Sequence, residues 1–143
     1  MKNRKILSII ALLLTAALLF ALASCKAKED PTIWDDAKYK KDAAIGEGAV
    51  TFTLEVKALD RSVKLTISTD EVSLEDALTK LSLIEGEEDD YGLYIKKVNG
   101  MLADYDTDGT YWALYEDGKY AMTGISFTEV KDGANYGLYK EKG

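Results

Sequence analysis

The sequence predicts an α+β domain in which one short helix lies across a mixed β-sheet. Three observations predict it. Two runs of strictly alternating apolar and polar residues stand side by side between positions 50 and 68. A stretch with helical spacing follows at once. The rest of the chain is strand-like, cut by Asn-Gly and Asp-Gly dipeptides. Strand, strand, helix, then several strands can bury its apolar surface as one sheet with a helix on one face.

The first run places Val50, Phe52, Leu54 and Val56 between Thr51, Thr53, Glu55 and Lys57, the period of a half-buried strand. Val63, Leu65 and Ile67 repeat the pattern after a short Asp60-Arg61 break, so the two read as a hairpin. Ser73-Leu74-Glu75-Asp76 is a variant capping box with Ser73 as N-cap. Leu74, Ala77, Leu78 and Leu81 then recur at the spacing of one helix face. Residues 85–90 read as an acidic, solvated loop. Residues 91–98 read as a strand closed by Asn99-Gly100, a strong tight-turn signal. Residues 111–116 form another strand, turned by Asp117-Gly118 into 119–122, and Asp132-Gly133 precedes a last strand at 135–140. This element order predicts a β-grasp-like sheet over residues 49–143.

The N-terminus predicts its own fate. Met-Lys-Asn-Arg-Lys opens a run of 19 uncharged residues, from Ile6 to Ser24, long enough to cross a bilayer. A cleaved signal peptide, a retained anchor and a lipoprotein signal all begin this way. The run ends Leu22-Ala23-Ser24-Cys25 and turns abruptly to charge. Small residues before a cleavage point suit a signal peptidase. With cysteine following, the segment resembles the bacterial lipobox. That resemblance implies residues 1–24 as a signal peptide, diacylglycerol on the Cys25 sulfur, and a domain on the outer face of the bacterial membrane. Two acyl chains anchor stably where one does not. Residues 25–48, rich in charge and holding the single proline, read as a flexible tether, with Ile33, Trp34 and Tyr39 as exceptions that either pack a short helical turn onto the domain or stay loose.

Composition excludes several chemistries. There is no histidine and one cysteine, so Ser-His-Asp and Cys-His arrangements and intramolecular disulfides are impossible. The leader holds three of the 18 Lys and Arg and none of the 25 Asp and Glu, which leaves the remainder strongly acidic. Such a surface repels nucleic-acid phosphates. The expectation is a binding protein, not an enzyme.

An ordered series runs through the domain: Ser73 to Leu78, Tyr91-Gly92-Leu93-Tyr94-Ile95, Val98-Asn99-Gly100, Tyr111-Trp112-Ala113-Leu114-Tyr115, Asp117-Gly118, Gly124-Ile125 and Lys131-Asp132-Gly133. This series resembles the transcobalamin-like C-terminal domain. The resemblance implies a β-grasp-like unit that binds a small soluble ligand, with cobalamin or a related corrinoid the leading candidate. It also implies that the stretch at Tyr111 and Trp112 lies against that ligand. Tyr94, Tyr115 and Tyr120 complete the expected aromatic set. Alternation puts Trp112 and Leu114 on one face of their strand, the more apolar and so the core side, with Tyr111 and Tyr115 opposite. An adhesion or assembly module, binding protein or glycan through an aromatic sheet face, is the rival reading. A surface or transporter protein is a possible partner in either case.

Asp104, Asp106, Asp108 and Gly109 match the first half of an EF-hand loop. The twelfth position is Tyr115, however, and strand pattern replaces the exiting helix. An Asp- and Gly-rich turn is the expectation, with a calcium site at the three aspartates as the minority reading.

Overall fold

The structure, a computed structural model, describes residues 32–143. The expected signal peptide, Cys25 and the first part of the tether lie outside the described residues. No helix among the described residues is long and apolar enough to cross a membrane.

Among the described residues nine strands form two sheets. In chain order they are β1 (Ala43–Gly46), β2 (Val50–Ala58), β3 (Arg61–Thr69), β4 (Ile84–Asp89), β5 (Gly92–Val98), β6 (Met101–Leu102), β7 (Thr110–Glu116), β8 (Lys119–Tyr120) and β9 (Asn135–Lys142). Helix α1 (Leu74–Lys80) follows β3, and a single helical turn, α2 (Tyr105–Asp108), precedes β7. The larger sheet has the order β1-β3-β2-β9-β7-β8, and the smaller one β4-β5-β6. β2 and β9 are parallel at the centre of the large sheet, and β3 and β7 flank them antiparallel. The fold is therefore α+β as expected, but dominated by sheet.

The alternation of the sequence explains the core. Phe52, Leu54, Val56, Val63, Leu65 and Ile67 all turn to one face and are buried. In β9, Tyr136 and Leu138 stand opposite Leu54 and Val56 and extend that face. Leu74, Ala77 and Leu78 of α1 close over it. The helix starts where the capping residue predicts: Ser73 Oγ accepts the Asp76 amide at 3.0 Å. Ile84, Ile95, Val98 and Met101 of the small sheet complete the core.

Two expectations need correction. Residues 85–90 are not a loop, because Ile84–Asp89 is an edge strand paired antiparallel with β5, with a bulge at Glu85/Gly86. After Ile84 it is exposed all along its length, so it carries no apolar alternation for the sequence to display. Lys96 pairs with Glu87 at 3.0 Å across this ladder.

The second correction concerns the tether. From Thr32 onward the chain belongs to the folded unit. A 3-10 turn, Ile33–Asp35, buries Trp34, whose Nε1 donates to the Ala58 carbonyl at 2.9 Å. Arg61 lies 4.6 Å over the indole ring. β1 then adds to β3 in parallel. Asn99 holds this segment in place. It sits with Gly100 in the two-residue β5–β6 turn, both at positive φ, as that turn requires. Its fully buried side chain pairs with both main-chain groups of Tyr39, each at 2.8 Å.

Asn99→Ala should cost about 3 kcal/mol, since it orphans two buried main-chain groups and puts a Cβ residue without a local hydrogen bond at positive φ. Denaturant unfolding measures the loss. Hydrogen exchange should localise it to residues 32–46 first.

Candidate functional site

The site is built on β7. On its inner side Trp112 and Leu114 are buried, as their alternation predicts, and Ala113 is buried on the other side as well. β9 pairs with the whole of β7, but β8 reaches only Tyr115 and Glu116. Beyond that, Ala121 donates its amide to Leu114 O at 2.8 Å and the chain departs. Main-chain direction alternates along a strand. The N–H and C=O of Trp112 therefore point to the same edge as those of Leu114, where no strand of the described residues lies beside them. The expected strand 119–122 ends at Tyr120, and the chain continues to a 3-10 turn, Ile125–Phe127.

This free edge opens into a groove of about 200 Å³ between β5, β7 and residues 120–125. Tyr94, Tyr111, Trp112 and Tyr120 all line it. Leu93 and Ile95 form its β5 wall, and Met122 and Ile125 come from the departing chain. Tyr94 and Tyr120 are about half exposed, and Met122 is 91% exposed. A second depression of about 440 Å³ adjoins it, sharing Tyr120 to Thr123 as a common wall. The Trp112 indole is buried, and its Nε1 has no hydrogen-bond partner among the described residues. A buried donor left unpaired costs about 1–3 kcal/mol, which is rarely tolerated without a reason.

Of the five aromatic residues expected at a ligand, four thus meet in one groove. Tyr115 does not. It lies on the open face of the sheet, stacked on Tyr139 with ring centroids 4.6 Å apart. Its hydroxyl donates to Glu141 at 2.6 Å, and Tyr111 OH donates to the same carboxylate at 3.3 Å. Tyr139 OH donates to Glu55 at 2.7 Å. Each hydrogen bond to a carboxylate, reinforced by desolvation and the negative charge, pushes the phenol up, to about 12 for both Tyr115 and Tyr139. Met122, Leu93 and Ile125 were not foreseen as site residues. An exposed methionine just past a two-residue hairpin was the available signal.

Two of the three aspartates, Asp104 and Asp108, hold the local turn. Asp104 caps α2, accepting the Asp106 amide and the Thr107 hydroxyl. Asp108 accepts the amide and hydroxyl of Thr110 and lies 3.7 Å from Lys140 Nζ. Gly109 ends the turn in the left-handed conformation, at φ 70°. Among the described residues no group of three His, Cys, Asp or Glu side chains is arranged to hold a metal ion.

Two outcomes follow for these groups. Asp104→Ala should cost about 1 kcal/mol through the lost cap, by the same amount with calcium or chelator in a thermal melt. For the tyrosines, a folded value above the unfolded value of about 10 means the protonated phenols stabilise the fold. That contribution is whole below pH ~10 and is lost as pH rises through about 12. Phenolate absorbance should show two late-titrating tyrosines, and Glu141→Gln should bring one of them back toward its ordinary value.

Residues 71–136 match the family model described as "Domain of unknown function (DUF4430)". A search of curated proteins gives no match to the sequence. Among solved structures, the chain is similar to a protein of Ruminococcus gnavus ATCC 29149 described as a "putative metal binding protein". The identity is 28%, over 66% of this chain and 99% of that one, with a TM-score of 0.63. A looser likeness, at 24% identity and a TM-score of 0.49, is to haptocorrin in complex with Cbi. It covers 65% of this chain and only 25% of the haptocorrin chain.

Proposed function

We propose that this chain is a non-enzymatic binding protein, held at the outer face of a bacterial membrane by a lipid on Cys25. Its groove beside β7 takes one face of a small, amide-bearing ligand, with a corrinoid as the leading candidate. The observation that carries this reading is the convergence of Tyr94, Tyr111, Trp112 and Tyr120 on a groove edged by the unpaired main chain of Trp112. Aromatic walls supply flat apolar contact at low entropy cost. The Trp112 N–H and C=O supply one donor and one acceptor, the complement of an amide. A corrinoid carries amides around its rim and a broad flat ring between them.

The depth of the groove fits covering better than enclosure. Pockets that bury a ligand usually measure about 300–1,000 Å³, and the groove itself is smaller than that. Without histidine, no imidazole can reach a ligand metal, so recognition rests on the ring edge and its amides. We also read the large sheet as β-grasp-like, supported by its central parallel pair β2 and β9 and by α1 crossing one face. The metal binding ascribed to the R. gnavus protein makes calcium a second ligand to test, although Asp104 and Asp108 here already hold backbone and hydroxyl donors. The rival reading, an adhesion module using the open aromatic face, has weaker support. Tyr115 and Tyr139 stack on each other and bond to carboxylates, which commits them to the sheet. A surface or transporter protein that receives the ligand fits the binding reading.

Calorimetric titration of cobalamin into the full-length chain in detergent tests it, with calcium and with chelator. The expected result is saturable binding at roughly micromolar affinity or tighter. Tyr94→Ala, at an exposed position, should weaken it tenfold or more while leaving the unfolding midpoint in place, and Tyr120→Ala should weaken it as much with a small loss of stability from its edge-to-face contact with Tyr115. No binding in either buffer would sink the corrinoid reading.

A further inference from the structure

A different recess lies on the open face of the large sheet, away from the inner face that packs against α1. It measures about 220 Å³. Its centre is Gly137, placed by register between Glu55 of β2 and Tyr115 of β7. The ring of Tyr139 folds back over this glycine, so close that a Cβ there would meet it at 2.8 Å. Tyr139 and Tyr115 thus form a fixed wall, pinned by the hydrogen bonds to Glu55 and Glu141.

The other side of the recess carries polar groups left to solvent, with Lys64 and Asn135 exposed and Glu55 and Thr53 half-buried. Glu55 and Lys64 are direct cross-strand partners between β2 and β3. Side chains at such positions start about 5 Å apart, near enough to pair. Yet no ion pair joins them, and Lys64 Nζ makes no hydrogen bond or ion pair among the described residues. Glu55 uses one oxygen on Tyr139 and leaves the other free. The Asn135 side-chain amide and the Thr53 hydroxyl, also lining the recess, make no hydrogen bond among the described residues, whereas the Asn135 main-chain N–H donates to Asp117. One free negative charge, one free positive charge and neutral donors and acceptors therefore surround a space of small-molecule size. The rings beside it have little free face, because Tyr139 is covered by Gly137, by Tyr115 and, at 5.8 Å, by Lys57. Stacking of a sugar ring is disfavoured for that reason.

We propose that this recess is a second binding site, for a small zwitterion of the free α-amino acid class. The ligand ammonium meets Glu55, its carboxylate meets Lys64, and Asn135 and Thr53 bond to what remains of the polar edge. The site is independent of the groove beside β7 and stands whether or not that groove binds a corrinoid.

The test is titration of the full-length chain in detergent with four probes, followed by calorimetry and by tyrosine fluorescence. The probes are L-alanine, N-acetyl-L-alanine, L-alanine amide and glucose. They offer both charges, the carboxylate alone, the ammonium alone, and hydroxyls alone. Saturable binding of L-alanine is expected, with the two single-charge probes at least tenfold weaker and glucose silent. Glu55→Gln keeps the acceptor for Tyr139 and removes the charge; Lys64→Met keeps the stem and removes the charge. Each should weaken L-alanine at least tenfold; Lys64→Met leaves the unfolding midpoint in place, and Glu55→Gln lowers it only by what a neutral acceptor loses on Tyr139. Absence of L-alanine binding, equal binding of a single-charge probe, binding of glucose instead, or indifference to both substitutions would overturn the proposal.

Discussion

The Asn99 side chain is the contact on which the arrangement of this protein most depends. Its two polar atoms satisfy Tyr39, its carbonyl accepts the Lys38 amide, and its amide donates to Leu83. One buried residue therefore joins the N-terminal segment, the end of α1 and the small sheet. It does so from a left-handed conformation that asparagine tolerates better than most residues. Gly100 beside it lets the Asp36 carbonyl approach closer than any side chain would allow. The dipeptide that marks a tight turn in the sequence is thus also the point at which distant segments lock together.

With that junction fixed, β5 is held across from β7 without pairing to it, and the gap between them becomes the groove. The short β8 matters equally. A longer one would cover the edge of β7 and satisfy the Trp112 main chain. The hairpin instead stops after two residues and sends Met122 into solvent. The same strand serves the opposite face, where Tyr111 and Tyr115 share Glu141. β7 therefore divides its side chains between a groove wall and a hydrogen-bonded tyrosine array, and its free edge supplies the groove with main-chain groups.

Acidic charge is distributed with consequence. Along β4 it keeps an exposed edge strand from pairing with other chains. At α2 it caps a helical turn. On the open face Glu55 and Glu141 raise the phenols that they bind. The strongly negative composition is thus largely spent on structure, and it argues for ligands that do not depend on a broad field.

The sequence by itself determined the elements that alternate, carry a cap or abut a turn dipeptide. β2, β3 and α1 were legible because each buries one face, and burial imposes a period of two or 3.6; β5, β7 and β9, which do not alternate in burial, were legible from strand-forming residues bounded by Asn-Gly and Asp-Gly turns. The burial of Trp112 followed from its place on the more apolar face of β7. β4 was not legible, since an edge strand exposed on both faces has no reason to alternate. Nor was the docking of Trp34, Tyr39 and β1, because a segment held by Ala58, Arg61 and Asn99 depends on residues far away in the chain. Of the aromatic set, sequence identified the residues but not their grouping. Only the tertiary structure showed that Tyr94, Tyr111, Trp112 and Tyr120 line one groove while Tyr115, edge-to-face with Tyr120 and sharing Glu141 with Tyr111, stays outside it, because which residues share a groove depends on the crossing of β5 past the free edge of β7. It alone showed Glu55 and Lys64 facing each other unpaired, since register between strands is set by the whole sheet and side-chain pairing by what each rotamer finds nearby.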